Sequence, residues 1–468
     1  MARSQTAKAG GQGALDALSR RFGERLTTVD SERQRHGVDE SYHEPMPPDA
    51  VLWPESTDEV SAAVEICART STPVVAYGAG TSLEGHVAAL RGGICIDMTR
   101  MNRIIAVRPE DLDVTVEAGV TRRQLNDKLQ PQGFFFPVDP GADATLGGMA
   151  ATRAAGTTTI RYGSMRDNVL GLTVVLADGQ VIHTGGRARK SSAGYDLTRL
   201  FVGSEGTLGI ITELILRIQG TPEGMTAAVC AFPSIEAAVT CVVRAIQLGV
   251  PMARAEFLDE RWLAAVNQRS GLDYAIAPTV FFEFHGSQAG VVEQAEEVGG
   301  IASELGGTDF QWAMKQEDRS RLWQARHEAH YAALATRPGS RALLTDVCVP
   351  LSRLAECIVK TREDIDASFV TGMMLGHVGD GNFHVSFVLD PESSEELEEA
   401  RRLNRVLVQR ALDMGGTCTG EHGIGYGKGE FLEAEHGAAV EVMRSIKRAL
   451  DPNSILNPGK ITEAVPRD

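Results

Sequence analysis

The sequence predicts an α+β fold. Short β-branched and apolar runs recur between glycines and prolines along the whole chain. Longer stretches with helical spacing separate many of them. From Thr221 onward strands and helices alternate, which implies a sheet with helices on one face. At 468 residues the chain has room for two or three domains.

Each element has a local reason. The first fifteen residues carry Arg3 and Lys8, no acid and no apolar core. They read as a disordered start rather than a secretion signal or a mitochondrial presequence. Residues 14–35 read as a surface helix followed by charged turn residues. The proline-rich stretch 43–56 marks the entry to the first full domain, and Ser56 with Glu59 forms a capping box for the helix that follows. PVVAYGAG is a buried strand running into a glycine turn; GGICIDMT and DVTVEAG are further strands. TRRQLNDKLQPQG is a helix closed by Gly133, and residues 170–185 form a hairpin about Asp178–Gly179. Residues 207–218 are an apolar strand closing this segment near Gly220.

Beyond it, AAVCAF, ARAEFLD and TVFFEFHG are strands, each followed by a helix; Ser234 and Gly249 bound the first of these helices. Residues 319–336 have helical spacing, ALLTDVCVP is a strand, and residues 371–389 hold two strands about a glycine turn. A polar helix leads to a second glycine run, and AAVEVMRSIKRALD is the last helix, ahead of NSILNPGKI.

Composition excludes some functions. The net charge is −16, which argues against nucleic-acid binding, where affinity comes from Lys and Arg on phosphates. A local Arg still binds a small carboxylate. The seven cysteines are scattered with no CxxC, so they read as buried thiols in a reducing compartment; haem and iron–sulfur spacings are missing too. No run of 18 apolar residues offers a transmembrane helix. The expected location is cytoplasmic, peripheral to an inner membrane as a variant, and mitochondrial in a eukaryote.

Chemistry concentrates in glycine-rich runs. Gly78 and Gly80 follow a strand with Thr81 and Ser82 beside them, as a phosphate loop requires. Their spacing is wrong for GxGxxG, and no acid sits at the expected second strand end. Two more such runs, 136–172 and 201–212, would let one domain wrap an extended dinucleotide by backbone contacts. LGHVGDGNFH places His377 and His384 seven residues apart; TGEHGIG adds Glu421 and then His422. Histidines beside glycines are usually core side chains, but the company of Asp380–Gly381–Asn382 and of Glu421–His422 favours a metal site. Two imidazoles and a carboxylate suit Zn²⁺, Mn²⁺ or Fe²⁺ without deciding among them, and leave His422 as a base. A non-redox metal-dependent hydrolase would also use this set, but it leaves the three glycine-rich loops unexplained. A non-catalytic assembly protein is disfavoured by the intact set and base.

The motifs GAGTSLEGH, DPGADATLGGM, RYGSMRDNVLGL, GSEGTLGIIT, GHVGDGNFH, TGEHGIG and LNPGK resemble those of the FAD-linked oxidase family, over roughly residues 45–463. The resemblance implies a two-lobed FAD-binding domain of the vanillyl-alcohol-oxidase type (45–220) after an N-terminal helical extension (1–44). It further implies an α+β substrate and metal domain with an antiparallel sheet (221–430), and a C-terminal helical segment returning to the flavin (431–468). By the same likeness Gly78, Gly80, Thr81, Ser82, Pro140, Gly141, Thr145, Gly147, Gly148, Arg166, Gly206 and Ile211 are expected FAD contacts. Asn457 is expected near the isoalloxazine. Thr81 stands where some members carry the histidine that bonds FAD covalently, so the FAD is expected to be non-covalent.

The likeness also makes His377, His384 and Glu421 metal ligands, His422 the base, and Arg326 and Asn382 substrate contacts. Arg319 and Arg321 are expected on a solvated helix face, with His327 and His330 structural or supporting. The implied reaction is oxidation of a D-2-hydroxy acid to the 2-oxo acid, D-lactate first. Electrons then pass to an external acceptor: cytochrome c, a quinone or an electron-transfer flavoprotein. Relatives acting on glycolate or D-2-hydroxyglutarate supply the alternatives. Leu344 stands where the D-2-hydroxyglutarate members carry a lysine for the distal carboxylate, which points to a small monocarboxylic substrate. A homodimer is compatible with the reading.

Overall fold

The structure is a computed structural model that describes residues 3–463. The side chains before Gln12, and those of Ser320, Arg321, Gln324, Ala325, His327, Glu328 and His330, lie outside the described residues. The expectations for Arg321, His327 and His330 therefore lie outside them as well. The chain divides into two compact units. The first takes residues up to Ala154, Ser164–Thr221 and those from Glu421 on; the second takes Ala155–Gly163 and Pro222–Gly420.

The first unit holds two main sheets. In one, Ala50–Leu52, Ile94–Asp97 and Val74–Tyr77 run parallel, with Leu26–Thr27 antiparallel at the edge. In the other, Ile104–Arg108, Asp113–Glu117, Ile210–Arg217, Val169–Val175 and Val181–Gly185 form an antiparallel sheet in that order. One apolar core, including Val64, Ile96, Val116, Leu146, Leu214 and Leu456, unites both sheets with the helix Thr57–Thr70. Ser56 caps that helix by accepting the Glu59 N–H. The reciprocal half of the expected capping box does not form, because Arg25 and the Glu55 N–H take the Glu59 carboxylate.

The second unit is an antiparallel sheet. Its order is Thr308–Ala313, Gly224–Ala231, Thr279–Gly286, Met252–Leu258, Thr371–His377, Asn382–Leu389, Arg341–Leu344, with Val347–Cys348 also on Asn382–Leu389. The helices Glu260–Ser270 and Gln316–Ala335 share one core with it through Trp262, Val266, Trp323 and Ala329.

Some elements differ from the sequence reading. The first helix spans Arg3–Phe22 rather than starting near residue 14. The glycine-rich stretch after residue 145 is not a long loop: Leu146–Thr152, Thr159–Tyr162 and Met165–Asn168 are short helices. Side-chain caps from Thr145 and Ser164 start two of them, overriding the low helix propensity of glycine. The helix Leu351–Asp366 and the edge strand Thr308–Ala313 escaped the sequence reading. Arg319 is not simply solvated, for it is half-buried and donates to the Met225 carbonyl.

Candidate active site

All thirteen residues expected to touch FAD fall in the first unit. Its strand Val74–Tyr77 delivers the loop with Gly78 and Gly80. A Cβ on Gly78 would lie 2.2 Å from Thr145 Oγ1, so the first loop passes the second too closely for any side chain. Thr145 itself caps the Gly148 N–H, and Gly147 lies against Ala118. Gly206 reaches the same strand, where a Cβ on it would lie 3.9 Å from the Ala76 Cβ, and Ile211 is buried in the adjoining sheet. Asn457 closes the group: its N–H donates to the Val74 carbonyl (2.7 Å) and its amide to Glu205 O (2.8 Å) and His86 O (3.2 Å). Pro140 is half-buried; Gly141 is exposed at φ +84°, with open space around it. Ser82 donates its hydroxyl to Asp39, and Thr81 is half-buried.

This cradle fits an anionic dinucleotide. Narrow glycine turns admit backbone approach, and two cations stand together. Burial lowers the pKa of Arg153, and the neighbouring Arg166 lowers it further. Two guanidiniums so placed gain from an anion beside them. Arg153 was missed from sequence, where it is one arginine in a loop with nothing local to mark it.

The second unit holds the other set. Thr371–His377 and Asn382–Leu389 form a hairpin in which Leu375 faces His384 and His377 faces Asn382. Residues two apart share a face, so His377, Asn382 and His384 project together. The two imidazole centroids are 5.5 Å apart. Gly381, at φ +82°, makes the turn, and a Cβ there would strike the Val349 carbonyl.

Each histidine is oriented through Nδ1. His377 Nδ1 lies 2.6 Å from Glu256 Oε1, and His384 Nδ1 lies 3.0 Å from the Thr345 carbonyl. Both partners are acceptors, so the network assigns the proton to Nδ1 and the lone pair to Nε2 on both rings. This is how a histidine prepared for a cation is held. Glu256 is fully buried and also accepts from Arg326 Nε at 2.7 Å. Burial pushes its pKa up, but His377 and Arg326 more than reverse that and hold it below the usual range. Asn382 donates both amide protons, to Asp346 Oδ1 (2.7 Å) and the Val347 carbonyl (2.8 Å). Its Oδ1 remains as the acceptor end of the amide. Asp346 takes the Thr419 hydroxyl at 2.7 Å.

Gly420, the last residue of this unit, packs so closely on Asn382 that a Cβ would lie 2.3 Å from Nδ2. Glu421 and His422 follow directly in the chain, each Cα about 3.8 Å from the last. Glu256 and Asp346 were missed from sequence. Each is a single acid in an apolar strand, and its partners are distant in the chain.

The chain matches the description "FAD binding domain" over residues 48–185 and "FAD linked oxidases, C-terminal domain" over 221–461. A Danio rerio relative, "Probable D-lactate dehydrogenase, mitochondrial", is 53% identical over 92% of this chain and 88% of its own. An Arabidopsis thaliana relative, "D-lactate dehydrogenase [cytochrome], mitochondrial", is 48% identical over 93% of this chain and 77% of its own. Among solved structures, p-cresol methylhydroxylase with substrate bound superposes with a TM-score of 0.81 at 20% identity, covering 98% of each chain; this shows the fold alone. The chain therefore carries an FAD-binding domain and belongs to the FAD-linked oxidase family of flavoenzymes.

Proposed function

We propose that this enzyme oxidises a small monocarboxylic D-2-hydroxy acid, D-lactate first, to the 2-oxo acid. FAD, bound without a covalent link, supplies the hydride acceptor. A divalent cation (Zn²⁺, Mn²⁺ or Fe²⁺) held by His377, His384 and Glu421 supplies the Lewis acidity that lets a histidine take an alcohol proton. The two D-lactate dehydrogenase relatives support the substrate class. The observation that supports the metal reading is the pair of histidines, ring centroids 5.5 Å apart, whose Nδ1 atoms both lie against acceptors, which makes Nε2 the lone-pair nitrogen of each ring.

The residues divide the work. Arg326, its Nε engaged by Glu256, presents the rest of its fork to the substrate carboxylate. Asn382 Oδ1 accepts from the hydroxyl until His422 removes that proton. The thirteen cradle residues hold FAD, and the segment 431–468 contributes Asn457 to them. Leu344, in the strand Arg341–Leu344, offers a distal carboxylate no cation. The electrons then leave to a separate acceptor; the name of the Arabidopsis relative points to a cytochrome before a quinone or an electron-transfer flavoprotein.

Steady-state assays with an artificial acceptor test the substrate. D-lactate should give the highest kcat/KM, with D-2-hydroxybutyrate behind it and L-lactate inert. A higher kcat/KM on D-2-hydroxyglutarate would refute the assignment.

A further inference from the structure

The first glycine motif, GAGTSLEGH, ends on His86, a residue outside the cradle contacts, the ligand set and the base. Its imidazole is 6% exposed, and neither ring nitrogen has a hydrogen-bond partner among the described residues. Buried polar atoms are nearly always satisfied, because one left alone loses its hydration with no bond in return. Glu205 brings Oε2 to 3.3 Å from Nε2, without hydrogen-bond alignment. On the same nitrogen, a Cβ at Gly423 would lie 2.8 Å away. Glu205 and Gly423 thus enclose Nε2, and Nδ1 is the nitrogen left for a ligand.

The main chain of His86 is fixed into the cradle. Its carbonyl accepts from the Asn457 amide (3.2 Å) and from Lys460 Nζ (3.0 Å). Lys460 is 1% exposed and also donates to the Ala88 carbonyl (2.7 Å) and to Asn457 Oδ1 (3.1 Å). Asn457 commits its amide protons to the His86 and Glu205 carbonyls, so its side chain builds the site from within. Glu205 and Asn457 both hold left-handed backbones, at φ +53° and +42°. A residue with a Cβ stays there only where its surroundings enforce it, and such strain gathers at functional sites. Ser82 precedes His86 in the same loop, and Gly206 follows Glu205. The imidazole is therefore bracketed by three expected FAD contacts: Ser82, Gly206 and Asn457.

We infer that His86 is a further flavin-binding residue, its Nδ1 hydrogen-bonded to the polar edge of the isoalloxazine. The inference rests on Asn457 standing beside that ring. The edge offers acceptors at N1, O2, O4 and N5 and a donor at N3, so Nδ1 finds a partner there with or without a proton. Reduction adds electron density to the same atoms. A hydrogen bond to them therefore differs in strength between the oxidised and reduced flavin, and His86 helps to set the potential.

The flavin's visible spectrum, its midpoint potential and FAD affinity test this without turnover. His86→Phe keeps the bulk of the ring and removes its nitrogens. It should shift the absorption maxima and the potential, and weaken FAD affinity on the order of tenfold. His86→Gln, which keeps a polar group, should lie between. In the wild-type holoenzyme labelled with ¹⁵N-histidine, the His86 resonances, assigned by their loss in His86→Gln, should move when dithionite reduces the flavin. A His86→Phe enzyme with the wild-type spectrum and potential, or His86 resonances indifferent to reduction, would overturn the inference. If His86→Phe does not fold, the resonances decide. Asn457→Ala should disturb the spectrum as well. An undisturbed spectrum there would overturn the placement of the ring beside Asn457, and the inference with it; a disturbed one beside a silent His86→Phe would overturn the inference alone.

Discussion

At the scale of single residues, the chemistry depends on partners that sequence hides. His377, His384 and Asn382 were legible because a glycine turn between short strands puts them on one face. Glu256, which orients His377 from 121 residues away, was not. An acid within ARAEFLD gives no local sign that its strand pairs with the histidine's. The same holds for Asp346. Arg326 can be tested directly. Arg326→Lys keeps the charge but loses the planar fork, so kcat/KM for D-lactate should fall on the order of 10²-fold, the ~3 kcal/mol of a strong charge-assisted contact. The loss should appear mainly in KM, and an unchanged KM would remove Arg326 from the substrate. At Thr81 the expectation is equally plain: acid precipitation should release all the yellow colour, and colour kept in the pellet would mean a covalent link elsewhere.

At the scale of elements, the strands and capped helices followed from alternation and from Ser56, Ser234 and Gly133. Elements without strong caps or clean periodicity were missed, such as Thr308–Ala313, an exposed edge strand with a broken apolar pattern. The glycines of the cradle separate two effects that sequence cannot distinguish. Gly78 is needed for space: its missing Cβ would meet Thr145 at 2.2 Å. Gly133 is needed only for its backbone angle, φ +79°, with nothing within 4 Å of a Cβ. Gly78→Ala should therefore weaken FAD binding at least about tenfold, a cost of ~1.4 kcal/mol or more at the cradle. Gly133→Ala should lower stability by about 1 kcal/mol and leave FAD affinity alone. Flavin fluorescence titration and thermal melting distinguish these outcomes; equal FAD affinities would contradict the cradle.

At the scale of the whole molecule, stability and function draw on different buried charges. Burial raises the pKa of Glu283, but Arg254, then His285 and Trp323, pull it down to about 2. A carboxyl depressed in the folded state stabilises above its unfolded pKa, and that contribution fades as pH falls through the folded value. Wild type should exceed Glu283→Gln in stability by up to ~3 kcal/mol above pH 4.5, and the gap should close as pH falls toward 2. Denaturant melts along this range test it; a gap independent of pH would contradict the ion-paired carboxylate. The FAD-linked oxidase family was legible from seven motifs. The fine division was not, because Ala155–Gly163 pack with the second unit while the sequence around them reads as one glycine-rich run.

The central claim, that a metal-assisted D-2-hydroxy-acid oxidation reduces the bound flavin, is tested most directly by anaerobic titration at the flavin's visible absorbance. D-lactate should bleach it stoichiometrically and L-lactate should not. Prolonged chelation should stop the bleaching, and Mn²⁺ or Zn²⁺ should restore it. Undiminished bleaching by D-lactate in fully metal-free enzyme, or equal bleaching by both enantiomers, would contradict the account.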